Sequence, residues 1–420
     1  MRGRGSQDRV REQNRAGILR ALRRNTSAAR VDICRQTGLS PATVTAITSE
    51  LLHQGLIIGS DEDLPGEQNT RGRPRALLSI NPDFGSFLLA RILPDSFGLA
   101  LVDFAGNTKA SKVEKFLLHD VKRLGFLNYF TAKISSFLAH SDHPADLIRE
   151  INVAFPGVVQ TDEGVVSWSP FSPDQALPVS KTLQERFGCP SFVSNDTNMV
   201  AAALHWKEPE KYRQNFAVVL LDKGLGMALF LDGKLYSGAN GMAGELGHCC
   251  HIPEGALCRC GRQGCLEAYL GSYALFRQAS NLPQNTLPQD IVEPDGFVES
   301  LIRQAETGHP ETLSLFERAG VNLGIGIGRL KAILDPDAFV VTGTSAQAMP
   351  FMKGGIEKAL AQTLPPGLNQ SLVVDVLPWD TDYVFKGLLA STIERLDYSK
   401  MSFSLARSTI RNQGLKENAS

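Results

Sequence analysis

The chain lacks any apolar run long enough to cross a bilayer, and its N-terminus, MRGRGSQDRV, is charged and has no hydrophobic segment of the kind that directs secretion. Membrane insertion and export are therefore not expected, and a cytoplasmic location is. Cysteine is scarce as well. Seven is an odd number, and Cys34, Cys189 and the Cys249-Cys250 pair show no disulfide framework, which fits a reducing compartment. Nor is there a strong net charge, since 43 Lys and Arg stand against 44 Asp and Glu. That balance hides a further absence: the first 80 residues contain no lysine. Their 13 basic residues are all arginine and face 8 acidic ones, a net of +5, whereas the remainder carries 30 against 36, a net of −6. A basic head on an acidic body suggests that the head meets a polyanion, because phosphate neutralisation supplies most of the sequence-independent affinity for nucleic acid.

What is present begins with that head. At 420 residues, 43% of them hydrophobic, the chain can support two or three domains. Residues 14 to 56 carry the punctuation of three short helices. Ile18, Leu19 and Leu22 give the first an apolar stripe. A second segment, 29 to 37, places Val31, Ile33 and Cys34 inward and stops at Gly38, suited to the sharp turn of a helix-turn-helix. Ser40 followed by Pro41 is an N-cap with proline at the first helical position, and Val44, Ile47 and Leu51 recur as a buried face. The opposite face, with Ala42, Thr43, Thr45, Ala46, Thr48 and Ser49, is small or hydroxylic and suits a major groove. Thr43, Thr45 and Ala46 are expected to meet bases, beside Ser40. Ile57-Ile58 and the segment 75 to 80 read as the strands of a wing. Between them Arg71, Arg73 and Arg75, spaced by Gly72 and Pro74, suit a narrow minor groove. Residues 1–80 are thus expected to form a winged helix-turn-helix that binds DNA.

The most informative stretch is GELGHCCHIPEGALCRCGRQGCLE, from Gly244 to Glu267. His248, Cys258, Cys260 and Cys265 supply one imidazole and three thiolates, a donor set that closes a tetrahedral zinc shell with no position left for water, so the metal is expected to be structural. Cys249, Cys250 or His251 are substitutes should His248 not be the fourth ligand. Glycines 261 and 264 allow tight turns between ligands, and Glu245 and Glu267 lie just outside the shell, where they can accept hydrogen bonds from a ligand.

From residue 84 onward strands and helices alternate, an α/β pattern of two lobes with a cleft between them. Strands are expected at 87 to 91, 99 to 102, 151 to 155, 192 to 194, 216 to 221, 226 to 231 and 339 to 342, with helices at 124 to 138 and 321 to 334. Within that frame stand FPGVV at 155 to 159, NDTN at 195 to 198, DGKLYSGANGMAGELGH at 232 to 248, CRCGRQGCLEAYLGS at 258 to 272, and LDPDAFVVTG ending at Gly343. With the winged head, these segments resemble the ROK proteins (repressors, open reading frames and sugar kinases), and the resemblance spans nearly the whole chain. It implies an actin-like, ribonuclease-H-like two-lobed fold, divided as 1–80, 81–195 and 196–398 with a polar tail at 399–420. It also implies that Asn195, Asp196, Glu245, His248 and Glu267 line a sugar pocket, with Asp196 where the kinases keep their general base. Carboxylates and an asparagine amide also suit vicinal hydroxyls on their own chemistry, although the same groups commonly cap helices or pair with arginines.

The chain departs from the kinases of that family on the nucleotide side. They carry an aspartate and then Gly-Gly-Thr in the first hairpin, where this chain has Arg91 and Leu93-Pro94-Asp95; their Gly-Thr-Gly is Asp222-Lys223-Gly224, and Thr344 follows Gly343 in place of a second glycine. Proline offers no N–H and the aspartates repel phosphate. The reading is therefore a homo-oligomeric, sugar-responsive transcriptional regulator, a repressor of carbohydrate genes, whose body binds sugar without phosphorylating it. An ATP-dependent sugar kinase with a regulatory head is the alternative, and control by a docking protein partner is a third possibility. Phe171, where those kinases often put a sugar-contacting asparagine, is expected to alter one wall of the pocket.

Overall fold

The computed structural model describes residues 4–60, 76–93, 96–141, 147–172, 174–366, 373–380 and 382–398. The head comprises helices α1 (Arg4–Asn25), α2 (Arg30–Thr37) and α3 (Pro41–His53), with strands β1 (Ser27–Ala29), β2 (Ile57–Ser60) and β3 (Leu77–Ile80). The turn between α2 and α3 follows the expected chemistry. Gly38 caps α2 in the left-handed conformation at φ 69°, and the Ser40 hydroxyl accepts from the Thr43 N–H at 3.2 Å to start α3. Two expectations fail here. Val31 is 56% exposed, while Ile33 carries the buried face of α2. Thr48 is fully buried, because its hydroxyl accepts from Arg30 Nε at 2.9 Å and turns away from the groove-facing side. The wing is a three-stranded sheet, β1-β3-β2, in which β3 runs antiparallel to both neighbours. β1, only three residues long, leaves too short a period to be read from sequence. Arg71, Arg73 and Arg75, Pro94 and Asp95, and the tail 399–420 lie outside the described residues.

The body contains two five-stranded sheets. The first, ordered β10-β7-β4-β5-β6, is built from β4 (Ser86–Ile92), β5 (Ser96–Asp103), β6 (Thr108–Lys115), β7 (Ile148–Phe155) and β10 (Ser191–Asn195). β4 pairs antiparallel with β5 and parallel with β7, and β7 parallel with β10. Helices α4 (Leu118–Leu124), α5 (Phe126–Ala139) and α6 (Val179–Phe187) accompany it, with the ribbon β8 (Val158–Gln160) and β9 (Val165–Trp168). The expected helix at 124 to 138 is therefore α5 alone, because Gly125 at φ 78° separates it from α4. After α7 (Asp196–Lys207) comes the second sheet, β13-β12-β11-β14-β15, formed by β11 (Phe216–Leu221), β12 (Leu225–Leu231), β13 (Lys234–Leu235), β14 (Ala338–Thr342) and β15 (Val374–Val376). α8 (Glu267–Leu270), α9 (Ser272–Ala279), α10 (Phe297–Glu306), α11 (Pro310–Leu334) and α12 (Met349–Thr363) pack with this sheet, and α13 (Tyr383–Tyr398) closes the fold. α11 starts at Pro310 rather than at Val321, its first turns burying Thr312, Leu315 and Phe316.

Three features of the core position the site. β11 and β4 are buried on both faces, so each sheet has helices on either side. α13, although last in sequence, packs on α7 and on β4 and β7 of the first sheet. Among the described residues the core of the head is continuous with that of the body: Ile18, Leu22, Val44 and Leu78 belong to the same apolar cluster as Phe104, Met199, Leu388 and Leu396. Among the described residues no helix is long and apolar enough to cross a membrane.

Candidate functional site

One cleft takes residues from both sheets. β4 contributes Arg91, the β7–β8 turn Pro156 and Gly157, the start of α7 Asn195 and Asp196, the β11–β12 turn Asp222 to Leu225, and the loop before the cysteines Gly244, Glu245 and His248. Glu267 at the start of α8 completes it. All five residues expected to line a pocket are thus brought together, but their side chains are not equally available. Asn195 caps α7, its Oδ1 accepting from Asn198 N–H at 3.0 Å while its Nδ2 donates to the Gly157 carbonyl at 3.0 Å, so the amide fixes the strand-to-helix turn. Asp196 spends Oδ1 on the Thr197 N–H at 2.8 Å. Glu267 is 6% exposed and accepts from Leu225 N–H at 3.2 Å and from the Tyr273 hydroxyl at 3.4 Å. Asp196 and Glu245 are therefore the carboxylates best placed to meet a ligand.

Electrostatics single out the same group. Burial pushes Asp196, Asp222 and Glu245 above the usual carboxylate range, and repulsion between Asp196 and Asp222, and between Asp196 and Glu245, adds to it. Burial also lowers the Arg91 guanidinium, opposed by Asp196, Asp222 and Asp382. Arg91 thus sits as a buried cation between carboxylates of both sheets, and its guanidinium lies 5.9 Å from the Phe385 ring of α13. On the same side, Thr344 Oγ1 donates to Asp222 Oδ1 at 2.6 Å, so two positions where the sequence departs from the kinase pattern are bonded to each other.

The opposite wall is the cysteine cluster. One donor atom each from His248, Cys258, Cys260 and Cys265 lies within 4.8 Å of the others. The Cys258 Sγ–His248 Nδ1 and Cys260 Sγ–Cys265 Sγ separations are both 3.6 Å. Thiolates about 2.3 Å from a tetrahedral ion stand roughly 3.8 Å apart, so the donor set fits a closed four-coordinate shell. Hydrogen bonds with Cys258 and Cys265 hold the Cys260 thiol far below its ordinary range, while contacts with Cys260 and Cys265 push Cys258 up. A divalent cation would remove the remaining thiol protons. The two nitrogens of His248 face different ways: Nδ1 turns to the sulfurs, and Nε2 lies 3.9 Å from Glu245 Oε2 on the cleft side. A single imidazole can thereby serve both metal and pocket, with a carboxylate beside its second nitrogen. Gly264, at φ 78°, makes the turn between ligands, and a Cβ there would meet the Ile252 carbonyl at 1.8 Å. Of the substitutes, His251 is engaged with Asn322 Oδ1 at 2.9 Å, and Cys249 and Cys250 are exposed outside the four.

Sequence reasoning missed the aromatic part of the site. Trp168 and Trp379 line the cleft, the Trp168 ring standing edge-on to His248 at 5.2 Å. Phe171, expected to reshape a wall, instead packs against Phe116 and Phe126 at 5.3 Å each; the wall there is Trp168 and Pro170. The third tryptophan, Trp206, lies at the far end of α7, with Arg20 of α1 5.8 Å over its ring. Next to it Arg23 of α1 is buried, 3.6 Å from Asp397 of α13, and donates to the Phe104 carbonyl at 2.6 Å. On the head, Thr45 and Ala46 are exposed on α3, Ser40 is exposed at its cap, and Thr43 is half-buried with its hydroxyl 2.9 Å from that of Ser40.

Comparison with known proteins bears on these features. The sequence model described as "ROK family" matches residues 126–380, and that described as "Winged helix-turn-helix DNA-binding" matches residues 11–58. The DNA-binding transcriptional dual regulator NagC of Escherichia coli (strain K12) is 25% identical over 356 residues, covering 85% of this chain and 86% of the relative. The xylose repressor of Bacillus spizizenii is 24% identical over 86% of this chain and 90% of its own length. Among solved structures, a ROK family transcriptional regulator, a homolog of the E. coli MLC protein, superposes with a TM-score of 0.70 at 24% identity, covering 93% of this chain and 97% of the other. A ROK family glucokinase from Streptomyces griseus, in complex with glucose and AMPPNP, superposes with a TM-score of 0.58 at 21% identity over 72% of this chain and 98% of its own. The fold is therefore the two-lobed α/β sugar-kinase fold preceded by a winged helix-turn-helix.

Proposed function

The chain belongs to the ROK family, and from that premise we propose that it is a cytoplasmic, sugar-responsive transcriptional repressor. Its winged head holds operator DNA, its cleft binds a sugar without phosphorylating it, and one structural zinc stiffens the cleft wall. Residues 1–80 are the DNA-binding domain, 81–195 and 196–398 the lobes around the cleft. The contacts assigned to DNA are Ser40, Thr43, Thr45, Ala46, Arg71, Arg73 and Arg75; those assigned to the sugar are Asn195, Asp196, Glu245, His248 and Glu267, with Asn195 and Glu267 acting mainly by shaping the turns they cap. His248, Cys258, Cys260 and Cys265 hold the zinc. The relatives named as repressors, among them the N-acetylglucosamine repressor of E. coli O157:H7 and the xylose repressors, support the regulatory reading.

The observation that carries it is α7. This helix of 12 residues, about 18 Å long, begins with Asp196 in the cleft and ends beside Arg20 of the head. α13 runs alongside it, from Phe385 beside Arg91 in the cleft to Asp397 beside Arg23. A sugar that draws Asp196 and Arg91 toward the zinc wall moves both helices, and through Arg20, Arg23 and the shared apolar cluster it moves α1. Ligand releases DNA to the extent that it binds the moved arrangement better, typically by about 1–3 kcal/mol. A two-fold homo-oligomer matches a palindromic operator.

Arg91 and the Thr344–Asp222 pair favour sensing over phosphoryl transfer, because side chains and negative charge occupy the region where phosphate cradles need small residues and free N–H groups. The test uses purified protein and DNA from upstream of its own gene, with N-acetyl-D-glucosamine, D-xylose and D-glucose, each free and phosphorylated. Salt-sensitive, sequence-selective DNA binding relieved by one of these sugars without ATP is expected. Sugar-dependent ADP formation that vanishes in Asp196→Asn would instead establish the kinase.

A further inference from the structure

Cys249 and Cys250 play no part in the metal shell or the cleft, yet Cys250 has a specific neighbour. It forms an isolated antiparallel bridge with the metal ligand Cys265. The flanking hydrogen bonds, Leu266 N–H to the Cys249 carbonyl at 3.1 Å and His251 N–H to the Gly264 carbonyl at 2.7 Å, identify the two cysteines as a non-hydrogen-bonded cross-strand pair. Cα atoms in such a pair are about 4.5 Å apart and the side chains lie on one face, within the range a disulfide spans. Cys249, extended at φ −65° and ψ 138°, faces the other way, with its sulfur 3.7 Å from the Glu245 carbonyl. Exposure differs sharply within the pair: Cys250 is exposed and Cys265 is 2% exposed.

Building on the zinc assignment above, we propose that Cys250 is an oxidant-sensing thiol whose reaction with a peroxide captures Cys265 from the zinc and releases the metal. The Cys250 thiolate attacks one peroxide oxygen, forming an S–O bond while the O–O bond breaks and hydroxide leaves. The Cys265 thiolate then attacks the sulfenic sulfur, forming the S–S bond as the S–O bond breaks and a second hydroxide departs. The two hydroxides take up two protons, one from the Cys250 thiol and one from solvent. Two electrons pass from the two sulfurs to the peroxide. Disulfide and metal compete for the same Cys265 sulfur, so the shell falls to three ligands and zinc dissociates. Reduction by a dithiol in the presence of zinc reverses the change.

The test treats full-length protein, reduced and assayed for zinc, with hydrogen peroxide, and follows zinc release with a chromogenic chelator alongside peptide mapping of disulfides. Wild type is expected to hold one zinc per chain beforehand and to release it as a Cys250–Cys265 cross-link appears. Cys250→Ser should lose the cross-link and release zinc several-fold more slowly, whereas Cys249→Ser should behave as wild type. The proposal is overturned if Cys250→Ser releases zinc at the wild-type rate, or if the cross-link maps to Cys249–Cys250 or Cys260–Cys265. A reduced protein that contains no zinc also overturns it, and that result separates failure of the zinc assignment from failure of the thiol chemistry.

Discussion

The two walls of the cleft are built on opposite plans. On the cysteine wall, four metal-donor side chains from one short stretch are drawn around one point, and Glu267 is anchored beside them by Leu225 and Tyr273. Among the described residues the facing wall has no such cluster of metal donors. Arg91, Asp196 and Asp222 meet there as opposed charges, and the helices behind them, α7 and α13, lead out to the head. A metal bound by the four donors would fix one wall, so that closure on a ligand would move the other. The sharpest way to break this comparison is to remove the rigidity. Cys260→Ser should lose zinc and, because a structural zinc contributes on the order of 10 kcal/mol to folding of its segment, abolish the sugar response while the head still binds DNA. Zinc content and sugar-dependent DNA release, measured together, check it; zinc lost with the response intact would separate metal from pocket.

The next largest effect is expected where the facing wall reaches the head. Arg23→Met removes the arginine that offsets buried Asp397 most, leaving Arg20 and Arg15, so the loss should fall at the low end for a broken buried pair, about 3 kcal/mol read by chemical denaturation. Asp397 also gives this contact a pH dependence. Burial raises its pKa from 3.8 to about 6, against the pull of Arg23, so between those values the folded state binds more protons than the unfolded one. Stability therefore falls as pH rises from about 4 to about 6, and Asp397→Asn should flatten that slope. A slope unchanged in Asp397→Asn would assign it to the cleft carboxylates instead.

How far these walls could be read in the sequence follows from how local their determinants are. The cysteine cluster was legible because four ligands within 18 residues encode their own geometry, and the α2–α3 turn because Gly38, Ser40 and Pro41 act on their immediate neighbours. The facing wall was not. Arg91 appeared only as a damaged loop position, because the partners that give it meaning, Asp196, Asp222 and Phe385, lie from about one hundred to about three hundred residues away along the chain. Trp168 and Trp379 gave no periodic signal, and Phe171 was misplaced because aromatic residues three apart on an irregular segment can exchange pocket and core. Thr48 went wrong because a hydrogen bond from Arg30 holds it inward, and Val31 because it stands two residues from the buried Ile33, about 200° away around α2 and so on its opposite face.

Two smaller perturbations of the facing wall sharpen the distinction between sensing and phosphoryl transfer. Asp196→Asn removes a charged hydroxyl acceptor at the start of α7, and sugar affinity should fall by about 10- to 100-fold, roughly 1.5–3 kcal/mol by calorimetry, with DNA affinity in the absence of sugar unchanged. Because burial pushes Asp196 up, wild-type sugar affinity should also decline on acidification at a pH above the usual aspartate range, and this decline should be absent in the variant.

Thr344→Val deletes the hydroxyl that donates to Asp222 while keeping the side-chain shape. It should cost about 1 kcal/mol of stability, the value of one partly buried hydrogen bond, and leave sugar affinity within about twofold of wild type. The reason is one of place: Thr344 and Asp222 brace the β14 and β11 ends against each other, and their bond is already satisfied before any ligand arrives. If Thr344→Val weakens sugar binding as much as Asp196→Asn, this side of the cleft takes part in recognition, and the effector must carry a group that reaches it. Stabilisation of the variant by ATP, absent in wild type, would show that the Thr344–Asp222 pair alone keeps nucleotide out.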